Sequence, residues 1–343
     1  MNILSSSIPP SLSVLLLIGC YESEAYDERR LDWLEMSLND LRCQTFRPTE
    51  IIVSLNSSVS HSDFVTKLVS TYIDTYSCVK YSLPRSGAFN FETLISLATS
   101  DLICFWSDHD RHGKLFLEQC VKAVVDYPAM HACPIINYAF EDGRPYTPEP
   151  VSLFAVNTCS LSSVDSLKSA LSSDIRGSIY GIWKRQLFNN IPSYGIEKID
   201  FLLVYAAALS GGYVFFESDK ESLVLRHKKS KGNNHSKLLP SLIMSEDNYR
   251  MTAHSRLLRG LVSIIGQSSL GALEKSRAMV VVRKTFSSKS NYCGCSYLGA
   301  KLMLKSIISL VRGRQSISSF VIQLGFAMSA WQDLSSTYKF KIN

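Results

Sequence analysis

The chain has 343 residues, 46% hydrophobic and 19% charged, with 17 Gly and 11 Pro. These proportions exclude an intrinsically disordered, collagen-like or linker-type chain and provide for a sizeable core, in one large domain or two modest ones. A formal charge of +6 is too small to argue by itself for nucleic acid, and no recognised nucleic-acid motif accompanies it.

Residues 1–11 read as a tail. Ser13–Cys20 then reads SVLLLIGC. Its resemblance to a lipoprotein signal fails for want of any Lys or Arg in Met1–Ser11, so a buried parallel strand is expected over 13–19. Leu31, Leu34, Leu38 and Leu41 recur at spacings of three and four, which predicts an amphipathic helix over Arg29–Arg42. A strand is expected at Glu50–Leu55, a helix at Phe64–Tyr76, a short strand at Val79–Leu83 and a loop around Gly87. A helix at Phe91–Thr99, a strand at Leu102–Trp106 and a helix at Leu115–Tyr127, closed by Pro128, follow. This strand–helix alternation predicts an α/β fold, a mostly parallel sheet with helices on both faces.

The second half is less regular. His131–Phe140 reads as one strand, Ser152–Ser173 has no clear assignment, Ile199–Leu209 reads as a helix and Tyr213–Phe216 as a strand. Beyond Leu238 the pattern is helical, with candidates near 245–265, 298–311 and 317–331. Nine Cys, an odd number lying mostly in apolar runs, read as free thiols in a reducing compartment. Cys293-Gly294-Cys295 has no partner pair at zinc-finger spacing. No apolar run reaches the roughly 18 residues of a membrane span.

The sharpest chemical signal is Ser107-Asp108-His109-Asp110, directly after the strand ending at Trp106. Ligands of open α/β sheets bind at the carboxyl ends of strands. Two carboxylates at i and i+2 of an extended chain point the same way and can share one hard cation, whose remaining positions take phosphate oxygens. His109 and His112 flank the motif and are expected to be bystanders.

These residues and their order resemble the family-2 glycosyltransferases of GT-A fold. The resemblance runs from about Leu12 to Ser236. Gly19-Cys20-Tyr21-Glu22 resembles the family's first strand and turn, and Gln44-Thr45-Phe46 with Glu50-Ile51-Ile52-Val53 its Q-T-[FY]…E-I-I-V stretch. Ser86-Gly87 with Asn90 resembles the loop before the metal motif, and Ala98–Ile103 the segment leading into it, with Ser100 replacing Gly. Asp108 and Asp110 then fall on the family's Asp-x-Asp. Tyr180–Arg185, Asp200, Gly211-Gly212, Tyr213–Phe216 and Arg226-His227 resemble the later landmarks of a bacterial branch.

The resemblance implies transfer of a sugar from a nucleotide diphosphate donor to an acceptor hydroxyl, with inversion and with Mn²⁺ or Mg²⁺. It implies a UDP-sugar first, with GDP- and dTDP-sugars as alternatives. Asp108, Asp110 and His227 are its implied metal ligands. Tyr21, Glu22, Asn56, Arg85, Asn90 and Asp108 are its implied nucleotide contacts. Asp200 is its implied base, with Glu197 as fallback. Asn56 stands where the family commonly has an acid, and Glu22 where it has Asn.

The catalytic domain is expected over 12–236, its nucleotide half at about 12–110 and its acceptor half at about 111–236. A basic, mainly helical extension follows over 237–343. Residues 276–343 carry 10 Lys/Arg against Asp333 alone, whereas residues 1–275 carry 26 against 29 Asp/Glu. Lys301, Lys305, Arg312 and Arg314 alternate with Leu302, Leu304, Ile307, Ile308 and Val311. This pattern suits either a helical cap or a helix on anionic lipid. A cytoplasmic enzyme, peripheral on the inner face of the membrane and acting on a glycan or lipid-linked glycan in cell-surface polysaccharide or glycolipid synthesis, is the expectation. Two rivals are a catalytically weak relic that binds carbohydrate or serves as a scaffold, and a nucleotidyltransferase. The second lacks the expected Gly-rich basic loop after the first strand.

Overall fold

The computed structural model describes residues 10–19, 28–56, 59–80, 87–140, 156–172, 178–191, 199–218, 223–227, 257–258 and 260–288. The expected helices at 298–311 and 317–331 and the basic residues they carry lie outside these.

The first half runs β1 (Leu12–Gly19), α1 (Glu28–Arg42), β2 (Glu50–Asn56), α2 (Val59–Tyr72), β3 (Ser77–Lys80), α3 (Gly87–Leu97) and β4 (Leu102–Ser107). Then come β5 (Arg111–His112), α4 (Phe116–Asp126), β6 (His131–Pro134), β7 (Asn137–Phe140), β8 (Val156–Asn157) and α5 (Ser163–Ser172). The rest is β9 (Ile182–Lys184), α6 (Ile199–Ser210), β10 (Tyr213–Phe216), β11 (Leu223–His227), α7 (residues 260–267) and α8 (Ala272–Ser288). An eight-stranded sheet has the order β3-β2-β1-β4-β9-β6-β10-β8, and a second sheet of three strands has the order β5-β11-β7.

The chain forms β1 because both sides of this strand are covered. Leu12, Val14, Leu15, Leu16 and Ile18 are all 0% exposed, each stabilising the fold by roughly 1.5–3 kcal/mol. β2 and β4 flank it, both parallel. Parallel strands need crossover connections, and these put helices on the two faces. Adjacent residues of β4 reveal which helix lies where, because neighbouring side chains point to opposite faces. Phe105 meets Phe91 of α3 edge-on at 4.9 Å, while Trp106 meets Phe116 of α4 at 5.9 Å and Ser37 of α1 by a hydrogen bond. So α3 covers one face and α1 and α4 the other.

The parallel run is interrupted at β9, which is antiparallel to both β4 and β6. Just before it, the chain passes so close to β6 that only glycine fits. A Cβ on Gly181 would lie 2.4 Å from the Ala132 carbonyl oxygen and 2.4 Å from His131 Cε1. Past α6, Gly212 has φ +89, and a Cβ there would meet Cys159 Cα at 2.9 Å, so the tight entry into β10 requires glycine.

His131–Phe140 is two strands rather than the single one expected: β6 belongs to the large sheet and β7 to the small one. Pro134 has no backbone N–H for a ladder and stands where the chain turns away from the first sheet. The unassigned stretch 152–173 yields β8 and α5. Helix α8, not singled out from the sequence, packs on α5. Leu261, Ile265, Ala278 and Val282, all 0% exposed, belong to the same apolar core as the sheet. The described part of the expected extension, residues 257–258 and 260–288, thus packs into the body of the fold.

Candidate active site

The chain leaves β1 towards β2 and β3 on one side, then returns to place β4 on the other. This is a topological switch point. The loops after β1 and β4 diverge there, and the crevice at the strands' carboxyl ends is where such sheets take ligands. Ser107 pairs with Leu17, so Asp108–Asp110 leave the sheet beside the last residues of β1.

Asp110 is nearly buried, its side chain 3% exposed, whereas that of Asp108 is 18% exposed. His109 spans them. Its Nδ1 lies 2.6 Å from Asp108 Oδ1 and its Nε2 3.8 Å from Asp110 Oδ2. Ser107 Oγ accepts the His109 backbone N–H at 3.3 Å and sits 3.1 Å from Nδ1. His109 therefore touches both carboxylates rather than standing apart from them. His112 is different. It stacks on Trp106 at 3.7 Å, with Phe116 edge-on at 4.9 Å, and neither ring nitrogen has a hydrogen-bond partner. Burial, aided by the charges of Arg111 and His109, holds its pKa down at about 3, so His112 is a neutral core aromatic at the root of the loop.

The loop is gripped from α1. Ser37 Oγ accepts the Trp106 indole N–H at 2.9 Å and donates to the Ser107 carbonyl at 2.5 Å. Past the end of the helix, Gln44 donates to the Gly113 carbonyl at 2.9 Å and accepts the Leu117 N–H at 3.0 Å. Thr45 donates its backbone N–H to Lys114 O at 3.1 Å and its hydroxyl to Glu118 at 2.6 Å. Gln44 and Thr45 are letters of the family-like stretch, and their function here is to seat the chain after Asp110. Ser37 carried no signal as a motif. Its clue was a polar residue within the apolar stripe of Leu34, Leu38 and Leu41.

Of the other sequence-derived site residues, Asn90 is 3% exposed and accepts a hydrogen bond from Ser54 Oγ, joining α3 to β2. Asn56 ends β2 opposite Gly19, and its side chain lies outside what is described. Tyr21, Glu22, Arg85 and Glu197 lie outside the described residues altogether. Asp200 falls in the first turn of α6 and His227 at the end of β11, and their side chains are likewise outside. β11 pairs antiparallel with β5, Leu223 opposite His112 and Val224 opposite Arg111, and on its other side His227 pairs with Phe140 of β7.

Two carboxylates at i and i+2 are the hard oxygen donors that Mn²⁺ or Mg²⁺ takes. Among the described residues no group of three His, Cys, Asp or Glu could hold a metal. Two such carboxylates leave the remaining positions of a hard cation to other oxygen donors, such as phosphate and water. Cys104, Cys120 and Cys133 are buried free thiols, their pKa values pushed up by burial, which makes them inert core residues.

Residues 25–169 match the family model described as "Glycosyl transferase family 2". That segment holds β4 and both carboxylates, while β1 on the other side of the switch point precedes it. Residues 25–169 are thus a segment of glycosyl transferase family 2 type. The protein is accordingly a glycosyltransferase, and its sheet has the GT-A architecture. The fold is similar to that of S. aureus TarS residues 1–349, with a TM-score of 0.56 at 12% identity over 93% of this chain and 92% of that one. TarS in complex with UDP gives 0.54 at 13% identity, and in complex with UDP-GlcNAc 0.57 at 13%, each over 93% and 92% of the two chains. No curated protein sequence matches the chain.

Proposed function

We propose that this glycosyltransferase moves a sugar from a UDP-sugar to an acceptor hydroxyl, with the donor diphosphate and one Mn²⁺ or Mg²⁺ at Asp108 and Asp110. The observation that carries this reading is the Asp108–Asp110 pair at the switch point of a family-2 domain. UDP is favoured over other nucleotides because TarS, which shares the fold, has been crystallised with UDP and with UDP-GlcNAc. A divalent cation at the carboxylates would neutralise charge building on the leaving diphosphate.

The chain's own residues supply the rest. Asp200 takes the proton of the acceptor hydroxyl, whose oxygen attacks the anomeric carbon as its bond to the diphosphate breaks, inverting the centre. His227 contacts the cation or a phosphate oxygen; in support, its strand β11 pairs with β5, which directly follows Asp110. Tyr21, Glu22, Asn56 and Arg85 line the nucleotide, and Asn90 holds β2 beneath it through Ser54. The acceptor is a glycan or lipid-linked glycan of cell-surface polysaccharide or glycolipid synthesis. The basic C-terminal segment lies on the anionic inner face of the membrane. In support, Asp333 is the sole acid among its 10 Lys/Arg, and among the described residues no helix is long and apolar enough to cross a membrane. Removing residues from Leu298 onward should weaken sedimentation with anionic vesicles. Unchanged binding would withdraw the membrane assignment.

The central test is thermal stability with UDP, GDP, CDP, ADP and dTDP, each with and without Mn²⁺. A ligand that binds only the folded state adds about 2.7 kcal/mol at a hundredfold excess over its dissociation constant. A Mn²⁺-dependent shift with UDP is expected. A shift with another nucleotide instead would correct the donor, and no shift with any would overturn the metal–diphosphate reading.

A further inference from the structure

Ser37 and Gln44 hold the chain on either side of Asp108–Asp110, and between them α1 carries one buried charge. Asp40 is 7% exposed. Its Oδ2 accepts the Arg111 Nε–H at 2.7 Å and the His112 backbone N–H at 3.0 Å, and its Oδ1 accepts an Arg111 Nη2–H at 3.1 Å. Ser37 and Asp40 are three residues apart and so share a helix face. One grips the last residues before Asp108 and the other the first residues after Asp110. A carboxylate that forks onto a guanidinium is strong and geometrically exacting. Here it also fixes a backbone N–H two residues from Asp110.

Charge adds a second effect. The Arg111 side chain is 46% exposed and directly follows Asp110. Released from Asp40, it can fold onto the carboxylates that a cation needs.

We infer that Asp40 is a positioning residue for the Asp108–Asp110 pair, fixing the exit of their loop and keeping the Arg111 charge off them. This rests on the reading that the pair takes the cation and diphosphate. Two ligands on a three-residue turn reach one cation only when both ends of the turn are held. Groups that orient metal ligands in this way typically govern about 10–100-fold in metal affinity.

The test is titration of Mn²⁺ into the full-length protein at saturating UDP, read as the half-saturating Mn²⁺ concentration. Asp40→Asn, which puts an amide NH₂ where Arg111 needs an acceptor, should raise it about tenfold or more. Adding Arg111→Gln to that variant should bring the value back by about threefold or more, because the freed charge is gone. Arg111→Gln on its own should give no such gain, because Asp40 already holds that charge, and an equal gain with Asp40 intact overturns the inference. Arg111→Lys keeps the charge and loses the fork, and should raise the value by about threefold.

Wild-type Mn²⁺ affinity in Asp40→Asn, or no recovery in the double variant, overturns the inference. Should Asp40→Asn fail to fold, unchanged affinity in Arg111→Lys overturns it instead. If the wild type shows no Mn²⁺-dependent UDP binding, the proposed function fails first and takes this inference with it.

Discussion

Glu50 joins Ser100 across the amino ends of β2 and β4: its Oε1 accepts the Ser100 backbone N–H at 3.1 Å and the Ser100 hydroxyl at 3.2 Å. The same oxygen takes the Thr99 N–H at 2.7 Å and the Ser13 hydroxyl. Burial alone would push the Glu50 carboxyl up, but these donors outweigh it and hold its pKa below the ordinary 4.5. A carboxyl lowered by folding contributes stability that is fully present above its unfolded value and is lost as pH falls through the folded one. Glu50→Gln should therefore be less stable at neutral pH, with a shallower loss of melting temperature below about pH 4.5. An equally steep acid limb in the variant would remove Glu50 from this account.

Gly181→Ala should destabilise the fold by about 2–3 kcal/mol. The new methyl would meet the Ala132 carbonyl and the Cβ of Cys133, at 2.4 and 2.7 Å, in a sheet that has no room to yield. The urea midpoint measures this. A midpoint within error of wild type would mean that β6 and β9 can move apart.

Asp108→Ala and Asp110→Ala should each abolish the Mn²⁺-dependent part of nucleotide stabilisation. Asp110 is the more buried, so its removal should also change the melting temperature of the metal-free protein more. Retention of the Mn²⁺-dependent shift in both variants would place the cation elsewhere.

Asp200→Asn should leave donor binding intact and reduce turnover by about 10²–10⁴-fold, the usual worth of a general base. Full turnover in this variant would return Asp200 to a purely helical role and bring Glu197 forward as the base.

Much of the architecture was legible because buried parallel strands write themselves as unbroken apolar runs, as in Leu12–Gly19 and Leu102–Ser107. Helix α2 begins at Val59 rather than Phe64 because its first turn, Ser60-His61-Ser62-Asp63, is polar and breaks the apolar rhythm. Gly87, read as loop, opens α3. Exposure at Leu273 and Val280 blurs the periodicity of α8. At the site, the Asp108–Asp110 pair could be read from its place after a strand. The α1 contacts could not. Ser37 and Asp40 lie 69 to 72 residues from the partners they hold, and pairing over such a distance leaves no local pattern, only polar residues on a buried helix face.

The antiparallel strand β9 has a consequence for synthesis and for truncation. It arises at residues 182–184, yet it is the seam between β4 and β6. A fragment ending with the family-matched segment at 169 would have both neighbouring strands but not the strand between them, leaving two apolar edges open to pair with other chains. On the ribosome the sheet stays in two halves until that seam emerges. Fragments of this enzyme ending short of β9 should aggregate, while one carried past Phe216 of β10 holds every strand of the large sheet.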